Sequence, residues 1–158
     1  MKTNMGKAFE THFYADWKKS FPNTFIYRLH DQVTGYKVTS QNPCDFIAYN
    51  NNQLWLLETK SHNGLSIPFT AIPQYERLLA YKNMPGVNPL IIIWFKEKDC
   101  VLAVPIIEAE KMVKDGKKSI SLKMLDDQSY NIIEIPSVKK RVFLDSDYTV
   151  LADLKEGE

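Results

Sequence analysis

Apolar residues recur along this chain at spacings that distinguish helices from strands. Phe9, Phe13 and Trp17 repeat every four residues, which predicts a helix over 5–20 with an apolar stripe toward the core and Asn4 as its N-cap. Short apolar runs between turn residues predict strands, and Pro73 and Pro105 stand at early positions of two further helices. The predicted strands are 25–29, 45–49, 53–60, 90–95, 101–104 and 130–135, and the further helices are 73–82 and 105–114.

The order of these elements predicts the fold class. One helix, three strands, a helix, two strands, a helix and a final strand are typical of an α/β fold in which helices flank a mixed β-sheet. Residues 30–43 are polar and rich in turn formers, and the stretch after Arg141 has an ambiguous pattern that we expect to be partly helical. No repeat or linker interrupts the pattern, so we expect residues 1–158 to form a single domain.

Composition narrows the class of protein. The chain is 44% hydrophobic and 25% charged, as globular domains are, and it has no run of the roughly 18 apolar residues that a membrane helix needs. Its N-terminus has no apolar leader and its two cysteines stand in strand-like contexts, so we expect free thiols and a cytoplasmic location. A net charge of +1 excludes a uniformly basic surface, but the basic clusters at 114–123 and 139–141 are compatible with a solvated face or with a phosphate track.

The informative chemistry lies on the hairpin predicted around the Asn50-Asn51-Asn52 turn. Suppose that Asn51 and Asn52 form a two-residue hairpin loop, which the tolerance of asparagine for positive φ allows. Asn50 then faces Gln53, and the numbers of paired residues sum to 103. Asp45 then lies directly opposite Glu58, and Lys60, two residues further on, shares their face. Two opposed carboxylates repel each other, so a purely structural hairpin rarely carries them. The other positions are apolar on both faces, so we expect the hairpin to be covered on both sides.

A divalent cation is the natural partner for this pair of carboxylates. Mg²⁺ takes carboxylate oxygens and keeps several waters, and such an ion activates water and stabilises charge that develops on a phosphate. Lys60 would orient that water or neutralise the transition state. The alternative is structural, with Asp45 capping a turn and Glu58 forming an ordinary ion pair with Lys60. Spacing alone does not separate the two interpretations.

The same residues resemble the PD-(D/E)xK nuclease superfamily. Glu58-Thr59-Lys60 matches E-x-K, and Pro43-Cys44-Asp45 matches the P-D element with one residue inserted. The closer resemblance is to RecU-type Holliday-junction resolvases and covers about residues 5–110. It rests on motifs that occur in the same order, namely Gly6-Lys7-Ala8-Phe9-Glu10, Cys44-Asp45-Phe46-Ile47-Ala48-Tyr49, Glu58-Thr59-Lys60-Ser61 and Ile67-Pro68-Phe69 before a helix that carries Gln74.

This resemblance implies a restriction-endonuclease-like core and a metal-dependent DNA endonuclease. Asp45, Glu58 and the backbone carbonyl of Thr59 would hold Mg²⁺, for which Mn²⁺ can substitute. Glu10 would add an acidic group through water, and Gln74 would shape the site from the following helix. A glutamate favoured by the helix dipole and a plain first-turn glutamine are equally good interpretations of these two residues. Symmetric cutting of a four-way DNA junction implies a homodimer.

One segment departs from the RecU pattern. The family carries a long, basic, proline-containing stalk between its first two strands, whereas residues 29–42 are short, lack proline and offer Lys37 as their clearly basic residue. A contact with a DNA branch through Arg28, Lys37 and the hydroxyls is still compatible with this segment. The short segment does not change the predicted cleavage chemistry, but it leaves undecided whether the enzyme would select junctions. The first alternative to a resolvase is therefore a restriction-like or nicking nuclease of the same superfamily.

Two other interpretations have less support. A non-catalytic DNA-binding module on the nuclease fold would be expected to have lost part of the carboxylate–lysine set, which is intact here. A zinc protein would need a compact group of ligands, and His12, His30 and His62 are too scattered in the sequence to match one.

Overall fold

The computed structural model describes residues 4–30, 32–34, 37–40 and 42–154, with side chains for 4–30 and 42–154. These ranges contain the helices α1 (Met5–Ser20), α2 (Tyr75–Leu79) and α3 (Ile106–Lys114). The strands are β1 (Phe25–Arg28), β2 (Gln32–Thr34), β3 (Lys37–Ser40), β4 (Phe46–Asn50), β5 (Gln53–His62), β6 (Ser66–Pro68), β7 (Val87–Phe95), β8 (Cys100–Pro105), β9 (Ser119–Ser121), β10 (Ile133–Ile135), β11 (Ser137–Lys139) and β12 (Leu144–Ser146).

Six of these strands form the central sheet, in the order β1-β4-β5-β7-β8-β10. β5 and β7 run parallel, and the other neighbours are antiparallel. β7 is buried along its whole length, which explains the continuous apolar run seen in the sequence. The predicted α/β class, a mixed sheet flanked by helices, is confirmed.

The two faces of the sheet pack against different elements. On one face, Trp55 and Leu57 lie in a core with Trp17 of α1 and with the C-terminal segment. On the other face, Leu56 and Ile91 lie in a core with residues of α2 and α3. Because side chains alternate along a strand, consecutive residues of β5 meet opposite layers of the molecule.

α1 forms as the apolar stripe predicts. Phe13 and Trp17 are fully buried and Phe9 is 6% exposed. The Asn4 side chain accepts a hydrogen bond from the backbone N–H of Lys7, so it is the predicted N-cap. No helix in the described part of the chain is long and apolar enough to cross a membrane.

The prediction of a helix over 73–82 was wrong in its bounds. A 3-10 turn at Phe69–Ala71 comes first, and α2 is only five residues long, with Gln74 at its N-cap position. Beyond α2 the N–H of Tyr81 bonds to the carbonyl of Leu78, three residues back, so the chain tightens into turns instead of continuing the helix.

Three small two-stranded sheets were not predicted. β2 pairs with β3, so the backbone of the segment expected to be irregular forms a short hairpin, although the Lys37 side chain lies outside the described residues. β6 pairs with β9, and β11 pairs with β12. The C-terminal stretch, expected to be partly helical, contains β12 and a 3-10 helix at Tyr148–Asp153.

Candidate active site

The hairpin of β4 and β5 has the predicted register. Asn50 pairs with Gln53 and Phe46 with Leu57. Both turn residues between the strands are asparagines with positive φ, 54° and 59°, as a tight two-residue turn of this hand requires. Both faces are covered as expected, one at Trp55 and Leu57 and the other at Leu56, but the second face is open near the turn, where Tyr49 is 49% exposed.

At Asp45 the ladder changes. The Asp45 N–H donates to the carbonyl of Leu57 at 3.0 Å, although Phe46 already pairs with Leu57, so the regular pairing stops one residue before the predicted Asp45–Glu58 pair. The Asp45 carboxylate instead accepts two hydrogen bonds at Oδ2, from the Thr59 N–H at 2.9 Å and from the Thr59 hydroxyl at 2.8 Å. The side chain of Asp45 therefore takes the place of a backbone acceptor and is held in one orientation.

Glu58 projects from β5 into a dry environment. Its residue exposure is 0%, and neither carboxylate oxygen has a hydrogen-bond partner within the described residues. Lys60 Nζ lies 3.2 Å from Glu58 Oε1 as an ion pair. Burial, followed by the negative charge of Asp45, raises the pKa of Glu58 to about 8, and Lys60 offsets only part of this rise.

Glu10 and Gln74 reach the same cleft as Asp45. This cleft has a volume of about 530 Å³ and is open to solvent. Glu10, on α1, forms an ion pair with Arg28 at the end of β1, and burial together with the charge of Asp45 raises the pKa of Glu10. The side-chain oxygen of Gln74 is buried and has no hydrogen-bond partner within the described residues. The structure thus places both residues at the cleft, with Glu10 paired to Arg28 instead of turned to bulk solvent, and their roles in the site stay predictions.

Three basic residues of the cleft complete its electrostatics. Lys7, Arg28 and Arg77 line the same cavity as the carboxylates. Arg77 donates to the backbone carbonyl of Asn42 at 2.9 Å and so ties α2 to the segment that leads into β4. Our reasoning from the sequence missed Lys7 and Arg77. Arg77 had a usable signal, since it stands three residues after Gln74 and shares its side of the helix.

The residue inserted in the P-D element has a structural role. Cys44 is 2% exposed and lies in the core beside α2, and its burial raises the pKa of the thiol to about 12. The thiol is therefore neutral and unsuited to metal binding. Cys44 and Cys100 are both free thiols, as predicted.

The donors in the cleft fit a hard divalent cation. Asp45 lines the cleft and has a second oxygen that the Thr59 bonds leave available. Glu58 is buried close to Asp45 and is paired with Lys60, but it is not among the residues that line the cleft. The N–H and C=O of a strand residue point to the same side, so the Thr59 carbonyl lies on the edge of β5 that Asp45 occupies. Two carboxylates, a carbonyl and water are the ligands that Mg²⁺ and Mn²⁺ prefer.

A soft-metal site has no support in the described part of the chain. No group of three histidine, cysteine, aspartate or glutamate side chains there is arranged to hold a metal on its own. The same holds for the carboxylates of Asp45, Glu58 and Glu10, so a cation between Asp45 and Glu58 would also need the Thr59 carbonyl and water as ligands. His12 stacks on Phe143 with ring centroids 4.0 Å apart, and His62 meets the ring of Phe95 edge-on. His12 and His62 thus pack separately against aromatic rings, and His30 is exposed at the rim of the cleft.

Comparisons with known proteins identify the fold. No family model matches the chain, and no curated protein matches it by sequence. Among solved structures it is similar to Hjc of Archaeoglobus fulgidus, described as a Holliday junction resolvase from an archaeal hyperthermophile. The TM-score is 0.52 at 21% sequence identity, and the match covers 75% of this chain and 89% of the other. At this identity the likeness shows that the two chains share a fold.

Proposed function

We propose that this chain is a metal-dependent DNA endonuclease whose active site contains Asp45, Glu58 and Lys60. The observation that carries the proposal is the Glu58 carboxylate, which is fully buried beside the Asp45 carboxylate and has Lys60 as its ion-pair partner within the described residues. Lys60 offsets only part of the cost of burying this charge next to Asp45, and a cation held between the two carboxylates would offset the rest. Asp45, Glu58 and the Thr59 carbonyl would be the ligands.

Each residue has a role that follows from its position. A bound Mg²⁺ or Mn²⁺ supplies an activated water and neutralises charge on the phosphate. Thr59 fixes the Asp45 carboxylate through its two hydrogen bonds. Lys60 places a positive charge 3.2 Å from Glu58, where it can donate to a phosphate oxygen or to the attacking water. Glu10 and Gln74 line the same cleft, where the Glu10 carboxylate can orient water and Gln74 shapes the site from the start of α2.

We propose branched DNA, in particular a four-way junction, as the substrate. Support comes from the fold shared with a Holliday junction resolvase and from the motifs that resemble RecU-type resolvases. The short β2–β3 hairpin stands where the RecU stalk would be, so the mode of junction recognition differs from that family. A restriction-like or nicking nuclease without junction selectivity is the alternative.

The test compares three substrates and a set of matched variants. End-labelled four-way junctions, linear duplexes and single strands are incubated with Mg²⁺, Mn²⁺ or EDTA. Asp45→Asn and Lys60→Ala are each expected to lower the cleavage rate by at least about 100-fold, a size typical of lost transition-state stabilisation. The exposed residues Asp153 and Lys98 provide controls, and Asp153→Asn and Lys98→Ala are expected to cut as the wild type does.

The outcomes separate the alternatives. Cleavage that needs metal, fails in Asp45→Asn and favours the junction supports the whole proposal. Equal cutting of linear duplex and junction would remove the resolvase assignment and keep the nuclease. Junction binding without cleavage under any metal would indicate a non-catalytic module, and undiminished cutting by Asp45→Asn would remove the proposed site.

A further inference from the structure

A second cavity adjoins the candidate active site. It has a volume of about 310 Å³ and lies between α1 and β1. Glu10, Arg28 and His30 line both this groove and the cleft that contains Asp45. The Glu10–Arg28 ion pair therefore forms the boundary between two parts of one continuous depression.

The lining of this second groove differs from that of the cleft. Thr11 and Tyr14 of α1 form one wall, Ile26 of β1 lies opposite, and Phe46 is the buried floor. The rings of Tyr14 and Phe46 are nearly parallel, with an angle of 29° and centroids 6.1 Å apart. Aromatic and aliphatic surface with a few polar groups at the rim suits a flat, partly polar ring, whereas the carboxylates and basic residues next door suit a phosphate.

We propose that this groove binds one unstacked nucleobase of the strand being cut. The proposal rests on the proposed nuclease function, because that function places a phosphodiester in the adjoining cleft. The base of the nucleotide adjacent to that phosphodiester would extend past Arg28 into the groove, with its ring against Tyr14 and Ile26. Nucleobases bind sequence-tolerantly on such surfaces because every base has an aromatic face.

The groove accounts for selection of DNA structure without a long stalk. A base in a continuous duplex is paired and stacked on both sides, and removing it from the stack costs a few kcal/mol. At a branch point, nick or strand end that cost is smaller, so a nucleotide there enters the groove more readily. The aromatic groove would thus favour cutting beside a discontinuity, whatever the sequence.

Charge around the groove is consistent with a nucleotide. Arg28 can bind the phosphate that links the base to the strand, since guanidinium groups pair with phosphate oxygens in a bidentate manner. Lys18 Nζ lies 5.2 Å from the centroid of the Tyr14 ring, on the exposed side of α1, and adds a second positive charge beside the wall. An apolar protein segment would gain nothing from these two cations.

The test uses DNA binding in EDTA, so that its readout does not depend on cleavage. Four-way junctions carry 2-aminopurine, a fluorescent base, at single positions within three nucleotides of the branch point. In the wild type we expect binding to change the fluorescence at one or two of these positions. Tyr14→Leu keeps apolar contact with Phe46 but removes the aromatic wall, and we expect it to reduce that change and to weaken junction binding about 10-fold.

Two further variants protect the test against misfolding. Thr11→Trp fills the groove from an exposed position without removing a core contact, and it should have the same effect as Tyr14→Leu. Tyr49→Ala removes an exposed tyrosine that lines neither cavity, and it should bind and fluoresce as the wild type does.

The results bear differently on the groove and on the nuclease. Fluorescence changes that persist in Tyr14→Leu and Thr11→Trp would overturn the groove proposal, as would junction binding with no responsive position or an absence of junction binding. Metal-dependent cleavage in that case would leave the nuclease function standing. A Tyr14-dependent fluorescence change in a protein that never cleaves DNA would support the groove and refute the nuclease.

Discussion

At the scale of single residues, Glu58 sets the pH response of the protein. Its pKa is raised from 4.5 to about 8, so the folded state keeps the proton over a range in which the unfolded state has lost it. The folded state binds more protons between these values, and the free energy of unfolding therefore falls as the pH rises from about 4.5 to about 8. This loss is complete above pH 8 in metal-free buffer.

Glu58→Gln is expected to remove that pH dependence. In EDTA at pH 8.5 the variant should be more stable than the wild type by a few kcal/mol, up to the roughly 5 kcal/mol that the rise in pKa from 4.5 to about 8 corresponds to, measured by urea unfolding, because no buried charge has to form. At pH 4 the two proteins should be nearly equal. The exposed Glu97 provides the matched control, and Glu97→Gln should follow the wild-type curve. Parallel pH profiles for wild type and Glu58→Gln would contradict the assignment of this titration to Glu58.

At single residues, the sequence predicted that Asp45 and Glu58 are close together but not which contacts they make. The register sum placed Asp45 and Glu58 near each other because a two-residue turn leaves little freedom in the pairing. The residue numbers could not show that the regular strand pairing ends before Asp45, or that its carboxylate accepts hydrogen bonds from Thr59. Both depend on the path of the chain before β4. The contact between Glu10 and Arg28 joins α1 to β1 and was equally out of reach.

At the scale of elements, the long and periodic ones were predictable. The apolar stripe of α1 determines which face the helix buries, and the apolar run of β5 indicates a strand that is buried on both faces. β6 and β9 are three residues long and pair across the chain, with the Ser66 hydroxyl bonding that of Ser119 at 2.7 Å. Such strands exist because tertiary contacts bring them together, so no local signal marks them.

The C-terminal segment is an element whose contribution follows from its contacts. The Asp16 carboxylate accepts a hydrogen bond from the Ser146 N–H at 3.0 Å, and the Ser20 hydroxyl accepts one from the Tyr148 N–H at 2.9 Å. The Tyr148 ring is fully buried and lies 5.1 Å, centroid to centroid, from the Phe13 ring. The segment therefore belongs to the core of the α1 layer.

Tyr148→Ala is expected to be severely destabilising. Removing a fully buried aromatic ring leaves a cavity under α1 and should lower the free energy of unfolding by about 3–5 kcal/mol, measured by urea unfolding at neutral pH. Tyr49→Ala, at an exposed position, should change it by less than about 0.5 kcal/mol. A loss below about 1 kcal/mol in Tyr148→Ala would show that the segment detaches without disturbing the core.

At the scale of the whole molecule, the distribution of charge matters more than its sum. The net charge of +1 gives no long-range attraction to DNA, so binding must depend on local groups. β9, which lies within the basic cluster 114–123, pairs with β6. Just before β9, the Lys118 carbonyl accepts a hydrogen bond from the N–H of Phe69. Phe69 begins the 3-10 turn that precedes Gln74, a residue of the cleft. Of the two basic clusters, the one at 114–123 is therefore connected to the side of the molecule that carries the candidate active site.

The two clusters are expected to differ in their effect on DNA binding. Lys118 and Lys123 are exposed and form no ion pair with a described residue, whereas Lys139 pairs with Asp99 and Lys140 with Asp145. Replacing Lys118 and Lys123 together by alanine should lower the slope of log K against log salt by about 2, one unit for each phosphate contact. The matched double replacement of Lys139 and Lys140 should leave the slope unchanged. Equal slopes for all three proteins would remove the cluster from the DNA interface.

At the scale of the assembly, the expected homodimer can be tested through the symmetry of the proposed substrate. A junction presents two equivalent strands, and cutting both in one encounter requires two active sites related by a two-fold axis. We expect light scattering of the protein bound to junction DNA to give the mass of two chains. On a cruciform plasmid the wild type should then give linear product. Dimers that mix wild type with Asp45→Asn have one working site and should stop at the nicked circle. One chain bound per junction, together with a ratio of linear to nicked product that does not change when Asp45→Asn is mixed in, would contradict the dimer and the resolvase function. A nicking nuclease would remain compatible with that result.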